Sequence, residues 1–199
     1  MNNKYVTIDI EGDAMSRDIN KKLFPEGGHY DPETRIWCMT MYNGEKNITF
    51  VCKLPEEPRT LPDGTKTKAI HKNTSHVPQM IDKYNVTEFT DYKQFINRIQ
   101  TLLGNAKKAG YTVFFKGYGI YNYDRDMLKM KFDEQSLDTE VLECMKNINK
   151  YMKLEWPKTT EQVTTGKWID NQEYMIRGIR HNIEDAIQLY NLIKEKSND

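Results

Sequence analysis

Residues 4–10, "KYVTIDI", alternate polar and β-branched apolar side chains, the period of a half-buried strand. "TRIWCMTMYNGEKNITFVCKL" predicts two more strands around Asn43-Gly44, a dipeptide suited to a tight hairpin turn. These three strands, about 4–10, 34–42 and 46–54, are expected to form an antiparallel meander. "TDYKQFINRIQTLLGNAKKAG", about 90–109, has helical spacing through Tyr92, Phe95, Ile96, Ile99, Leu102 and Leu103, with Gly110 as its stop. "YTVFFKGYG" reads as a fourth strand, parallel to the first if the helix is a crossover. "DRDMLKMKF" and "LDTEVLECMKNINKYMKL" read as helices. A last helix runs from about 171 or 180 to 195, its stripe formed by Ile183, Ala186, Ile187, Leu189, Tyr190 and Ile193.

Between these elements lie polar stretches. "MSRDINKKLFPEGGHYDPE" and "EWPKTTEQVTTGKW" read as irregular. Residues 55–79 hold four prolines and a local excess of Arg59, Lys66, Lys68 and Lys72 with His71 and His76, an irregular basic excursion. It would clamp nucleic acid, bind a partner or remain a solvated loop. The order of strands and helices predicts an α/β fold: a mixed sheet, part antiparallel meander and part parallel, flanked by helices in a single domain over 1–199.

Composition changes this picture little. The 29 Lys+Arg balance 29 Asp+Glu, so any basic surface must be local. No apolar run approaches the roughly 20 residues of a membrane span. The N-terminus enters a strand pattern at once and carries acids, unlike a signal peptide. Cys38, Cys52 and Cys144 are odd in number and widely spaced, as expected of reduced thiols in a cytoplasm.

The acids carry the chemistry. Asp9 and Glu11 are two apart on the first strand and so share a face. Like charges side by side are unfavourable unless a cation lies between them, and a divalent metal is the simplest such cation. Asp124 follows the fourth strand and Tyr123, where it reads either as a site acid or as a helix cap. His181 and Asp185 are four apart and share a helix face, where a pair of this kind is most often a surface contact. Zinc would need further ligands, and His71, His76 and Cys52 are poorly placed to supply them. "GYG" is too short for a phosphate loop. Taken together, four acids on three elements with an imidazole one turn from the last fit two-metal phosphoryl chemistry, with histidine, a residue type that titrates near neutrality, beside the attacking water.

In this order the residues resemble the DEDD superfamily of 3'→5' exonucleases on the ribonuclease-H-like fold, over roughly residues 4–195. "DIE" (Asp9, Glu11) matches the family's first motif, "NYDRDML" (Asp124) its second, and "HNIED" (His181, Asp185) its third. The histidine-type members usually space His and Asp by five residues, whereas here the spacing is the four of the tyrosine-type members. The third motif is therefore similar to that of proofreading domains in short phage family-A DNA polymerases, with His in place of Tyr. No polymerase follows within the 199 residues, so a stand-alone exonuclease is expected, in the host cytoplasm if viral.

The resemblance implies two divalent cations, Mg²⁺ or Mn²⁺. Asp9, Glu11 and Asp185 would hold one, and Asp9 with Asp124 through water the other. His181 would act as general base or, like the tyrosine of its relatives, position the water. Ala14 and Met15 would touch the terminal bases, with Lys116, Tyr118, Tyr121 and Arg180 as further contacts to a single-stranded DNA or RNA 3' end. A separate DNA polymerase or other replication protein is the expected partner, and no membrane is. Competing readings are an endonuclease or resolvase on the same fold, a nucleotidyl-transfer or integrase-like relative, and a non-catalytic replication-accessory module.

Overall fold

The structure, a computed structural model, describes residues 4–12, 34–53, 64, 85–117, 123–152 and 171–197, with side chains of the last helix from 178 onward. Among the described residues, six strands form one mixed sheet: β1 (Tyr5–Gly12), β2 (Ile36–Tyr42), β3 (Asn47–Cys52), β4 (Val86–Phe89), β5 (Thr112–Phe115) and β6 (Met145–Asn147). Their order is β4-β3-β2-β1-β5-β6. β2 runs antiparallel to both β1 and β3, while β4 is parallel to β3, β5 to β1, and β6 to β5. Only β2 is reversed, an α/β arrangement consistent with a ribonuclease-H-like sheet, with β4 added at one edge. The expected meander and the expected parallel pairing of the fourth predicted strand (β5) with the first are both present.

The hairpin turns where Asn43-Gly44 predicts. Asn43 Oδ1 accepts from the backbone N–H groups of Glu45 and Lys46 at 3.0 and 2.8 Å, and Gly44 has φ +96°. Helix α1 (Tyr92–Lys108) is capped by Asp91, whose side chain accepts from Gln94 N at 3.0 Å. It buries Phe95, Ile96, Ile99, Leu103 and Ala106, and ends where Gly110 takes φ +74°.

Three departures from the sequence reading follow, the first two at the sheet edges. Val86–Phe89 is a strand that its own short pattern did not announce. Of the helix expected over 137–154, the described residues to 152 form instead two 3₁₀ turns, Glu140–Cys144 and Ile148–Lys150, that flank β6. Val141, Leu142, Met145 and Ile148 are buried, so the helix-like spacing marks burial correctly but not conformation. Asn147 Oδ1 accepts from Gly117 N at 3.2 Å and Asn149 N at 3.0 Å, pinning this segment to the end of β5 instead. The third departure is that β1 reaches Gly12, two residues beyond the predicted end, which brings Glu11 into the strand.

The two faces of β1 have different partners. Val6, Ile8 and Ile10 are buried in the main core. Tyr5, Thr7 and Asp9 face helix α3 (Asn171–Ser197). Tyr5 stacks on Tyr190 at 4.7 Å between ring centroids, the Thr7 hydroxyl donates to the Ala186 carbonyl at 2.6 Å, and Asn182 Nδ2 donates to Asp9 Oδ2 at 2.6 Å. Each step is two residues on the strand and four on the helix. Those steps are about 6.7 Å and about 6.0 Å long, so strand and helix stay in step while running in opposite directions.

One helical turn before Asn182 lies Gly178. The β1–β2 register shifts between Glu11 and Gly12, which pair with Cys38 and Ile36, so Trp37 is the extra residue of a bulge. Its fully buried ring packs under Gly178, where an added Cβ would meet Trp37 Cη2 at 2.8 Å and Cζ2 at 3.1 Å. Gly178→Ala tests this seat. Overpacking costs about 1–3 kcal/mol and exceeds the helix-propensity gain of about 1 kcal/mol. A lower melting temperature is expected, and a variant as stable as the parent would show that the ring yields.

Candidate active site

β1 and β5 are adjacent parallel strands whose chains leave in opposite directions: β1 continues to β2 on one side, and β5 leads to α2 (Tyr123–Glu134) and β6 on the other. Where strand order diverges in this way, an open α/β sheet forms a crevice at the carboxyl ends of its strands. Asp9 and Glu11 lie at that end of β1. Asp124 stands in the first turn of α2, 7% exposed, and α2 begins one residue before it at Tyr123. A carboxylate there is favoured by the helix dipole. Gly12 brings the end of β1 against this helix: a Cβ on it would lie 3.2 Å from the Tyr123 hydroxyl and 2.9 Å from Thr34 Cγ2. From the opposite face of the sheet α3 contributes His181 and Asp185, with Nε2 3.4 Å from Oδ2 and side chains 44% and 21% exposed.

The four acids act on one another. The half-buried Asp9 carboxyl is pushed well above the usual carboxylate range, first by burial and then by the charges of Asp124, Glu11 and Asp185. The Asn182 hydrogen bond pulls it the other way. Asp124 is pushed well up by burial and by Glu11. Asp185 is raised by burial, an effect opposed by His181 and Lys116.

Lys116 follows β5 by one residue and shares the face of Phe114, which the register places beside Thr7. Burial lowers its pKa, while Asp185 and Asp9 act to keep it charged. Lys116 thus sets a positive charge against Asp185.

A divalent cation fits this site by two observations. Asp124 Oδ2 is buried without a hydrogen-bond partner among the described residues, an expensive state for a carboxylate oxygen unless a cation meets it. The acids are also all hard oxygen donors, the set that suits Mg²⁺ or Mn²⁺. They are near enough to repel one another but do not close into a cage: among the described residues, no group of three or more His, Cys, Asp or Glu side chains stands at metal-holding separation.

Of the residues singled out from sequence, Asp9, Glu11, Asp124, His181, Asp185 and Lys116 converge on the crevice. Arg180 is exposed on the neighbouring helix position. Ala14, Met15, Tyr118 and Tyr121 lie outside the described residues, as does the basic excursion apart from Gly64. Asn182 was missed. Its signal was a polar side chain in the row Gly178, Asn182, Ala186, Tyr190, a row the helix turns toward the sheet. Cys38, Cys52 and Cys144 form no disulfide, and the first two are buried. Among the described residues, no helix is long and apolar enough to cross a membrane. The chain matches no model of a known protein family and no curated protein.

Because Asp9 and Asp124 carry raised pKa values, the folded chain binds more protons than the unfolded chain between the ordinary 3.8 and the raised folded values. Stability of the cation-free protein therefore falls as pH rises through that window. Asp124→Asn removes one of the repelling charges. It is expected to stabilise the cation-free protein at pH 7 by about 1–3 kcal/mol and to flatten the pH dependence of its melting temperature. A destabilised variant with unchanged pH dependence would show that Asp124 is not held under repulsion.

Proposed function

We propose that the protein is a metal-dependent 3'→5' exonuclease that removes nucleotides from the end of single-stranded nucleic acid, with DNA the favoured substrate. The observation that carries this reading is the mutual electrostatic influence of Asp9 with Glu11, Asp124 and Asp185, acids drawn from β1, α2 and α3 in the order of the DEDD exonuclease motifs. A structural role accounts poorly for it. Asp9, raised by the charges of Glu11, Asp124 and Asp185, and Asp124, raised by Glu11 and carrying a buried oxygen without a partner among the described residues, are costly to the fold as carboxylates unless a cation meets them.

In this reading Asp9, Glu11 and Asp185 hold one Mg²⁺ or Mn²⁺ and Asp9 and Asp124 the other. When bound, the cations supply positive charge to the phosphodiester and make water acidic enough to attack near neutral pH. The remaining work belongs to the chain. His181 lies beside Asp185, so its imidazole would take the proton of the attacking water as the P–O3' bond breaks and the leaving 3'-oxygen gains a proton from solvent, with Asp185 stabilising the imidazolium. His181 is half-exposed, which leaves it open to solvent and to a nucleic-acid end. Lys116 offers a charge to the phosphate from the β5 side. The Trp37 bulge seats α3 at Gly178 and so holds together the strand and helix that carry Asp9, Glu11, His181 and Asp185.

The test uses 5'-labelled single-stranded DNA and RNA with Mg²⁺, Mn²⁺ or EDTA. A ladder shortening from the 3' end is expected with metal only, and Asp9→Ala is expected to abolish it. Retained cleavage in Asp9→Ala and Asp185→Ala would contradict the reading, and cutting of circular single-stranded DNA would replace it with an endonuclease. His181→Ala is expected to lower kcat by roughly 10²–10⁴-fold, the range of a general acid–base group, with cation binding retained. A fully active His181→Tyr would assign the residue to positioning the water.

A further inference from the structure

We propose that Asn182 is a positioning residue that fixes the Asp9 carboxyl group and thereby sets how tightly the site holds its divalent cations. The inference rests on the two-cation reading above and concerns a residue outside the acid-and-histidine set.

Asn182 is fully buried between α3 and the sheet. Its Nδ2 donates to Asp9 Oδ2 at 2.6 Å, a short bond of the charge-assisted kind. Its Oδ1 accepts from the Cys38 thiol at 3.5 Å. These partners dictate which way the amide points. Reversed, it would set a carbonyl oxygen against the carboxylate and leave the thiol facing an N–H group. Cys38 pairs across the sheet with Glu11, so β2, α3 and β1 are linked in one chain of side chains that ends on the acid at the centre of the site.

Packing alone does not call for an amide here. Asparagine is a weak helix former, and Ile179, Ile183 and Ala186 show that neighbouring positions on this side of α3 are filled by apolar groups. A leucine of similar volume would continue the apolar surface. What the amide adds is directed donation: it holds one oxygen of Asp9, so the carboxyl cannot rotate freely and its other oxygen is left toward the acids. Partners that orient cation ligands in this way typically govern affinity by 10–100-fold.

The test is a thermal melt of the full chain without nucleic acid, titrated with Mn²⁺, for the parent, Asn182→Leu and Asn182→Ser. The parent is expected to gain melting temperature with Mn²⁺, and both variants to need roughly 10–100-fold more Mn²⁺ for half the gain. In the nuclease assay at fixed low Mn²⁺ the variants should lose kcat while KM for the oligonucleotide stays unchanged, and added Mn²⁺ should restore the rate. If Asn182→Leu does not melt cooperatively, the smaller Asn182→Ser carries the comparison. Variants that titrate at the parent's Mn²⁺ midpoint, or a rate that extra Mn²⁺ does not restore, would overturn the positioning role and leave the exonuclease reading standing. A parent that shows no Mn²⁺ response would bring down both.

Discussion

The structure depends on one match of repeats. Two residues of β1 advance about as far as four residues of α3, so three successive pairs meet: Tyr5 with Tyr190, Thr7 with the Ala186 carbonyl, Asp9 with Asn182. The contact changes character along its length. It is aromatic at one end, a buried hydroxyl-to-backbone bond in the middle, and a charge-assisted bond where it reaches the crevice. Gly178 and the Trp37 bulge extend the seat by another turn and let the helix lie close there. The stable end of this seam positions the costly end, which carries Asp9 and, beside it, His181 and Asp185.

The electrostatic design follows from that seam. Glu11, Asp124 and Asp185, from three elements with Asp9, raise the affinity of Asp9 for a proton, and Glu11 raises that of Asp124. A fold built only for stability would place lysines or amides among them. Here Lys116 and Asn182 are the groups on hand, and Lys116 is itself partly desolvated. Among the described residues, the buried Asp124 Oδ2 has no hydrogen-bond partner. If the proposed cations bind there, acids with raised pKa values lose protons as they take up metal.

Much of this was legible in the sequence, and the reason differs by element. β1, the Asn43-Gly44 hairpin, α1 and α3 announce themselves because each is long enough for its period to repeat or has a turn with demanding backbone angles. β4 and β6 are four and three residues long, too short for alternation to stand out, and exist because an adjoining strand offers an edge to pair with. The spacing of Val141, Leu142, Met145 and Ile148 suits a helix and equally suits two 3₁₀ turns around a short strand, and the Asn147 bonds to the end of β5 decide for the latter. The acids and His181 could be chosen by residue type, order and face. Asn182 could not, because an amide on a helix reads as solvated until the partner strand is known. The placement of Lys116 follows from its parity with Phe114 once β5 is paired to β1.

The central claim is that the four acids form a site that demands cations. Calorimetric titration of Mn²⁺ into the nucleic-acid-free chain near pH 6, repeated in two buffers of different ionisation enthalpy, measures both binding and the protons that accompany it. The account predicts saturable binding with net proton release in the parent, because acids whose pKa values are raised must ionise to take up metal. Proton release should be smaller in Asp9→Asn. Absence of saturable Mn²⁺ binding, or binding with no proton release, would contradict it.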